Sequence, residues 1–434
     1  MELHSRFEMI CFMYIERALQ PIVRTYSDHF KVIVVTGPRQ VGKTTMLKHL
    51  MNEDVEAGRS RTYVSLDNTN IRMLAKEDPA LFLQRYEPPV LIDEIQYAPE
   101  LLPYIKVAVD QSEETGRFWL TGSQPFHLMK HVSESLAGRV GIIEMFGLSD
   151  AEIKQVVSQS FDPAPSYFKQ RVQAMPHRSV SQVFDRIAAG SFPHIYLLPP
   201  DLRSAAYDSY IDTYLMRDIR DLSQVGDELK FRRFMAACAS LTSKPIVYAE
   251  LARIADIDQK TAKTWLSLLV SSYLVKIVEP YSNNLIKRLS KQSIMHFIDA
   301  GLAAHLAGWT NPRSLESGAM SGAIFESFVF GEIYKSFINA GKTAPLFFFK
   351  TNDRKEIDLL LERDGTLFPI EVKKSANPQR KDVKSFIALE DVTNPQDSSL
   401  ASFKRSIGTG TLVCMNEDAI PMSEDVWAFP AWAI

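Results

Sequence analysis

The sequence predicts a multidomain α/β protein, and three stretches carry that prediction. "KVIVVTGPRQVGKTTMLKHL" (31–50) reads as a strand, a glycine loop and a helix in immediate succession. "SKPIVYAELARIADIDQKTAKTWLSLLVSSYLVKIVEPY" (243–281) reads as two helices around a tight turn, then a strand. "EIDLLLERDGTLFPIEVKKS" (356–375) reads as two apolar strands around Asp-Gly. At 434 residues the chain is too long for one ordinary core, so two or three domains are expected.

Composition narrows the class. Hydrophobic residues make up 46% and charged residues 23%, the proportions of a globular protein. The formal net charge of -3 leaves any nucleic-acid contact to local basic patches. Cys11, Cys238 and Cys414 lie too far apart for a disulfide framework or a zinc motif, which fits a reducing, cytoplasmic setting. No run reaches the length of a membrane span. The apolar patch at the start is too short for a signal-peptide core, and Met13 is an alternative start.

The first segment, 1–150, is read as a phosphate-binding unit. Val32 to Val35 form an apolar run suited to a buried parallel strand. Gly37-Pro38-Arg39-Gln40-Val41-Gly42-Lys43-Thr44 then satisfies the G-x-x-x-x-G-K-[ST] pattern, with Thr45 following. Its glycines let backbone N–H groups face phosphate oxygens. Lys43 reaches the terminal phosphates, and the Thr44 hydroxyl is a Mg²⁺ ligand. ATP and Mg²⁺ are the expected nucleotide and ion.

A second strand, "PPVLIDEI" (88–95), carries Asp93 and Glu94 at its C-terminal end, where ligands bind in open α/β sheets. Asp93 is assigned to the Mg²⁺ shell and Glu94 to the attacking water. "RFWLTGS" (117–123) ends in Thr121 and Ser123, candidates to sense the γ-phosphate. "SLAGRV" (135–140) offers Arg139 as an arginine finger or sensor, against the plainer reading of a surface ion pair. If Arg139 acts on a neighbour's nucleotide, a homo-oligomer follows. If it acts within its own chain, a monomer suffices.

On "GPRQVGKTT", "LIDEIQ", "LTGS" and "SLAGR", this segment resembles the ATPase domain of a bacterial and archaeal AAA-type group. That group pairs the ATPase with a C-terminal domain of unknown function, DUF4143. "GSFPHIY" (190–196) and "YLMRDIRDL" (214–222) resemble its junction region.

Residues 151–235 read as helices broken by prolines, a helical lid beside the nucleotide. Ser149 with Glu152 three residues on is a capping-box start. Residues 236–310 have the element order of a winged helix. Leu251, Ile254, Trp265, Leu268 and Leu269 recur at helical spacing as its expected core. Lys260 and Lys263 on the second helix, and Lys287, Arg288 and Lys291 on the wing, are the candidate DNA contacts. The competing reading is a solvated helix face and a protein partner.

The last segment, 311–434, holds the hairpin. With Asp364-Gly365 as the turn, Asp358 faces Glu371, and Glu356, Asp358, Glu371 and Lys373 share one face. Ile357, Leu359, Leu361, Phe368, Ile370 and Val372 share the other. Opposed carboxylates repel, which invites a divalent cation, Mg²⁺ or alternatively Mn²⁺. The segment resembles the restriction-endonuclease-like, PD-(D/E)XK fold, with Ile357 in place of its proline. That resemblance implies Glu326 on the preceding helix (322–337) as a further metal ligand and Lys373 as a catalytic residue.

The expectation is therefore an α/β protein with a P-loop NTPase domain, helical lid, winged helix and nuclease-like C-terminal domain. Its action would be ATP hydrolysis coupled to DNA contact or cleavage, with no membrane. The alternative is a nucleotide-driven switch whose C-terminal half is a docking scaffold.

Overall fold

The structure is a computed structural model that describes residues 14–123, 132, 134–215, 227–282, 292–351, 355–389 and 405–434. Cys11, Lys287, Arg288, Lys291 and the linker 391–400 lie outside the described residues, as does most of the 214–222 junction.

The first unit runs α1 (Gln20–His29), β1 (Val32–Thr36), α2 (Lys43–Glu56), β2 (Thr62–Ser65), α3 (Thr69–Glu77), α4 (Pro79–Arg85), β3 (Val90–Asp93), α5 (Leu101–Asp110), β4 (Phe118–Gly122) and β5 (Val140–Glu144). The strands form one parallel sheet in the order β2-β3-β4-β1-β5. Every residue of β1, β3 and β4 is buried, because apolar side chains cover both faces. Val32, Val34, Ile92 and Leu120 pack with Leu102, Ile105 and Val109 of α5. Ile33, Val35 and Trp119 point the other way, toward Met46 and Leu47 of α2. The parallel register delivers the ends of β1, β3 and β4 to one edge, where the loop 37–42 lies.

The middle unit runs α6 (Asp150–Ile153), α7 (Pro165–Ala174), α8 (Val180–Ala189), α9 (Pro193–Leu197), α10 (Pro200–Tyr210), α11 (Glu228–Ser240), β6 (Lys244–Pro245), α12 (Tyr248–Ala255), α13 (Gln259–Ser271), β7 (Val275–Val278), β8 (Ile294–Phe297), α14 (Ala300–Leu306) and α15 (Pro312–Ser317). Pro165, Pro193 and Pro200 sit at the first helical positions of α7, α9 and α10, where the missing N–H costs nothing. These prolines start helices instead of breaking them. The Ser149–Glu152 capping box is formed in both directions. Helix α11 runs through the expected 235/236 boundary. Strands β6, β8 and β7 make an antiparallel sheet beside α12 and α13. Leu251, Trp265 and Leu269 are buried there, and so is Leu266. Ile254 is 41% exposed, a correction to the expected core: in α12 the inward face is Leu251, Ala252 and Ala255.

The last unit runs α16 (Ser321–Asn339), β9 (Leu346–Lys350), β10 (Glu356–Arg363), β11 (Thr366–Val372), a 3-10 segment (Arg380–Leu389), β12 (Ser406–Ile407), β13 (Gly410–Cys414), β14 (Ile420–Pro421) and β15 (Val426–Pro430). Its seven-stranded sheet is mixed: β9, β10 and β11 are antiparallel, and β13 and β15 continue parallel to β11. Leu359 pairs with Ile370 and Leu361 with Phe368. Asp364 (φ 50°) and Gly365 (φ 78°) make the left-handed two-residue turn that this register needs. Both faces are covered. Leu359, Leu361, Ile370 and Val372 join Phe325, Val329 and Ile333 of α16, while Leu360 and Leu367 join Phe386 and Leu389. Ile357 departs from the expected face. A bulge against β9 between Ile357 and Leu360 turns it toward Tyr281 and Phe349.

A buried charge network joins the three units. Asp150 pairs with Arg178 and Arg186. Burial raises the Asp150 carboxyl, but the two arginines outweigh it and hold it below the carboxylate range. Lys335 of α16 donates to Glu332 Oε1 at 2.6 Å and to the Leu148 carbonyl at 2.9 Å.

Candidate functional site

The loop 37–42 turns on glycine. Gly37 has φ 147°, and a Cβ there would lie 2.0 Å from the Met145 carbonyl oxygen. Lys43 is 6% exposed, and its amine donates to the Gly37 and Pro38 carbonyls at 3.0 and 2.7 Å. It therefore lies across the mouth of the loop. Thr44, in the first turn of α2, donates through Oγ1 to Asp93 Oδ1 at 2.7 Å. Thr45 next to it is exposed. Arg39 reaches Tyr97 Oη at 3.3 Å, Gln40 adopts φ 60°, and Val41 and Gly42 close the loop onto α2.

Asp93 is the hub. Thr121 Oγ1 donates to its Oδ1, and Tyr63 Oη donates to its Oδ2 at 3.1 Å. Burial, with Asp93 behind it, pushes the Tyr63 phenol up to about 12, so it stays a donor. Glu94 adopts φ 58° and ψ 47°, and its N–H donates to Thr121 Oγ1 at 3.1 Å. Gln96 Nε2 and Ser123 Oγ both donate to Glu94 Oε2, the latter at 3.1 Å. Two strand ends and one edge strand thus aim a carboxylate pair at the glycine loop. Thr44 and Asp93 are hard-oxygen donors already side by side, and this pair fits Mg²⁺.

Arg139 stands elsewhere. It directly precedes β5, whose Val140 pairs with Val32 at the start of β1. The five residues of β1 put roughly 15 Å between that level and the glycine loop. Arg139 is bound to Asp110, Nη2 to Oδ2 at 3.0 Å. The within-chain reading of Arg139 is corrected: it sits at the opposite end of the sheet from its own chain's loop.

Sequence reading missed Arg17. It is 4% exposed and donates to Glu152 Oε1 at 2.9 Å, to the Val41 carbonyl at 2.7 Å and to the Phe146 carbonyl at 2.7 Å. It braces the glycine loop from below. No local pattern announces it, since each partner is distant in sequence. Gln96 was visible only as part of "LIDEIQ", and the strand that carries Tyr63 was missed.

In the last unit the structure gathers Glu326, Asp358, Glu371 and Lys373. Lys373 Nζ lies 2.6 Å from Glu371 Oε1 and 3.6 Å from Asp358 Oδ2. Asp358 Oδ2 also accepts the Val372 N–H at 2.8 Å, and Ser385 donates to Glu371 Oε2 at 3.3 Å. Glu356, expected opposite Lys373, pairs instead with Lys350 at 2.9 Å. Burial and the Asp358 charge push the Glu326 carboxyl well up and that of Glu371 to about 7. Burial raises Asp358 too, although Lys373 opposes it. Burial works against the Lys373 charge, but Asp358 and Glu371 outweigh it and raise its pKa.

The donors are right in kind for a divalent cation, but they do not converge. Among the described residues, no group of three or more His, Cys, Asp or Glu side chains is placed to hold a metal. Glu326, Asp358 and Glu371, the expected ligands, lie in one cluster whose cation is Lys373, bound to one oxygen of Glu371, while the Val372 N–H holds one oxygen of Asp358.

Lys260 and Lys263 are exposed on α13, beyond the Asp258 cap that accepts the Thr261 N–H at 2.9 Å. Cys238 and Cys414 are buried and unpaired. No helix among the described residues is long and apolar enough to cross a membrane.

A parallel sheet that delivers a glycine loop, a lysine and a strand-end Asp-Glu pair to one edge defines a nucleotide-binding P-loop domain. Residues 29–154 match the family described as AAA domain. Residues 180–313 match a domain of unknown function, DUF8612, and residues 321–434 another, DUF4143. Uncharacterized proteins of Mycobacterium tuberculosis and Mycobacterium bovis are each 28% identical over 405 residues, covering 92% of this chain and 80% of theirs. AMPPCP-bound DnaA from Aquifex aeolicus is similar at a TM-score of 0.31 and 15% identity, over 60% of this chain and 90% of that one. The S. cerevisiae Hsp104–ADP complex is similar at 0.28 and 13%, over 74% and 44%. Likenesses this remote carry no argument about function.

Proposed function

We propose that the protein is a Mg²⁺-dependent ATPase of the AAA type. The observation that carries this reading is the 2.7 Å contact between Thr44 Oγ1 and Asp93 Oδ1, with Glu94 held beside it. The backbone N–H groups of Arg39 to Thr44 and the amine of Lys43 bind the phosphates. Thr44 and Asp93 hold Mg²⁺, which when bound neutralises phosphate charge. Glu94 accepts the proton of the attacking water. Gln96 and Ser123 keep its carboxylate turned to that task. Arg139, paired with Asp110 at the far end of the sheet, has no part in this chain's own site.

The test is phosphate release from ATP by wild type, Lys43→Ala and Glu94→Gln. Turnover lost in both variants supports the reading. Equal turnover in all three forms would sink it.

A second reading places DNA on the far half of the molecule. Exposed Lys260 and Lys263 beside a helix–turn–helix, with antiparallel strands following, favour a winged helix that contacts phosphates. The acid–lysine cluster around Lys373 favours a nuclease-like domain. Cleavage of linear, circular and single-stranded DNA, with Asp358→Ala and Lys373→Ala beside wild type, tests the second part. Steep salt dependence of DNA binding tests the first. Absence of both would leave the switch reading, in which the C-terminal half docks a protein.

A further inference from the structure

A second polar cavity lies at the opposite end of the parallel sheet. It encloses about 410 Å³ and is lined by Arg24, Asp54, Arg59, Arg61 and Trp119, among others. Arg61 precedes β2, and Pro89 and Gly116, also in its wall, precede β3 and β4. The glycine loop follows the other end of β1. The two sites are therefore separated by the length of the strands.

Asp28 and Asp54 are the carboxylates of the cavity wall, beside Arg24, Arg59 and Arg61. Arg24 pairs with Glu53 and Asp54, each at 2.7 Å. Arg59 pairs with the same Asp54 oxygen at 2.8 Å. Arg61 has no carboxylate within ion-pair distance among the described residues. Its guanidinium lies over the Trp119 ring, 4.0 Å from the centroid. One long contact, 3.4 Å to the Arg117 carbonyl, is its hydrogen bond, and its Nε has none. Burial drives its pKa down to about 10, with only Asp54 opposing. The guanidinium is still charged at neutral pH, so a cation is kept half-dry without a direct ion pair among the described residues. Such a group is costly unless an anion completes it. The planar fork of arginine suits bidentate oxyanions.

We propose that this cavity binds a compact oxyanion ligand, of the phosphate or carboxylate class, between Arg61 and Arg59. The ring of Trp119 is 1% exposed and stacks on the Arg61 guanidinium, which itself lines the cavity. Asp54 lies in α2, the helix that begins at Lys43. The ligand therefore competes with Asp54 for Arg59 at the far end of the helix that carries Lys43 and Thr44. This site is independent of the ATPase reading.

The experiment is calorimetric titration of the full chain, saturated with ADP, using phosphate, pyrophosphate and citrate in turn. Wild type, Arg61→Gln and Arg61→Lys are compared. Binding of at least one anion, weakened roughly tenfold or more in Arg61→Gln, is the expected result. Preference for pyrophosphate or citrate separates the phosphate source from the carboxylate source. Should Arg61→Gln fail to fold, phenylglyoxal labelling of the wild type replaces it: the anion must protect Arg59, read by peptide mass. Equal affinity in wild type and Arg61→Gln, no binding of any of the three anions, or unprotected Arg59 would overturn the proposal.

Discussion

The backbone N–H of Asp150 donates to Oε2 of Glu332 at 2.8 Å, a contact between residues 182 apart in sequence. Glu332 also accepts Lys335, and Arg186 approaches it at 3.6 Å. Asp150 in turn is gripped by Arg178 and Arg186. One carboxylate therefore satisfies groups from the middle and last units at once.

Removing that carboxylate should be severe. Glu332→Ala leaves Lys335 and Arg186 buried with too little negative charge, a change that costs roughly 3–5 kcal/mol. Urea unfolding should show a lower midpoint, with Glu332→Gln milder than Glu332→Ala. An unchanged midpoint for the alanine variant would mean that water already serves these charges.

Glu94→Gln should bind ATP and hydrolyse it roughly 10²–10⁴-fold more slowly. The measurement is nucleotide affinity beside phosphate release. Tyr63→Phe should act differently, because Tyr63 touches Asp93 and not Glu94. Its expected effect is a higher Mg²⁺ requirement with turnover at saturating Mg²⁺ nearly kept.

His296 is 1% exposed and stacked on Phe330 at 4.4 Å, with the Ser243 and Ser327 hydroxyls within hydrogen-bond reach. Burial takes its pKa from 6.5 down to about 3. The unfolded chain then binds a proton that the folded chain refuses, so stability falls as pH drops from 6.5 toward 3. Fully developed, this is on the order of 5 kcal/mol. His296→Gln should flatten that limb of the stability curve, as measured by urea unfolding at several pH values.

Glu371 has the opposite sign. Burial and Asp358 raise its pKa from 4.5 to about 7. Here the folded chain keeps a proton that the unfolded chain has lost, so stability falls as pH rises through that window. The loss is up to about 3 kcal/mol. In EDTA, Glu371→Gln should be more stable than wild type above pH 7, and the gap should close near pH 4.5.

These predictions divide by what the sequence displays. The glycine loop, the Asp93-Glu94 strand end and the Asp364-Gly365 hairpin are local patterns, and each was readable from a dozen residues. The Ile357 bulge was not, because it depends on how β9 meets β10. Ile254 was misplaced because α12 is too short for its periodicity to fix the inward face. Arg17, Tyr63 and the Asp150–Glu332 contact are invisible in one dimension, since their partners lie far away in sequence. Lys373 was foreseen beside the carboxylates, but whether it would flank a cation or replace one depends on side-chain directions that strand alternation does not set.

The hydrophobic core is continuous through all three matched segments: Ile33 of the first, Trp265 of the second and Phe429 of the third belong to one buried cluster. Arg171 extends this by holding the carbonyl oxygens of Ala433 and Ile434 at 3.1 and 2.9 Å. The three segments are thus not separable modules. A chain cut after residue 154 would strip the Asp150 carboxylate of Arg178 and Arg186 and bare the apolar side chains packed on the later segments. Heated intact, the protein should melt in one calorimetric endotherm, and isolated segments should aggregate before they can be assayed.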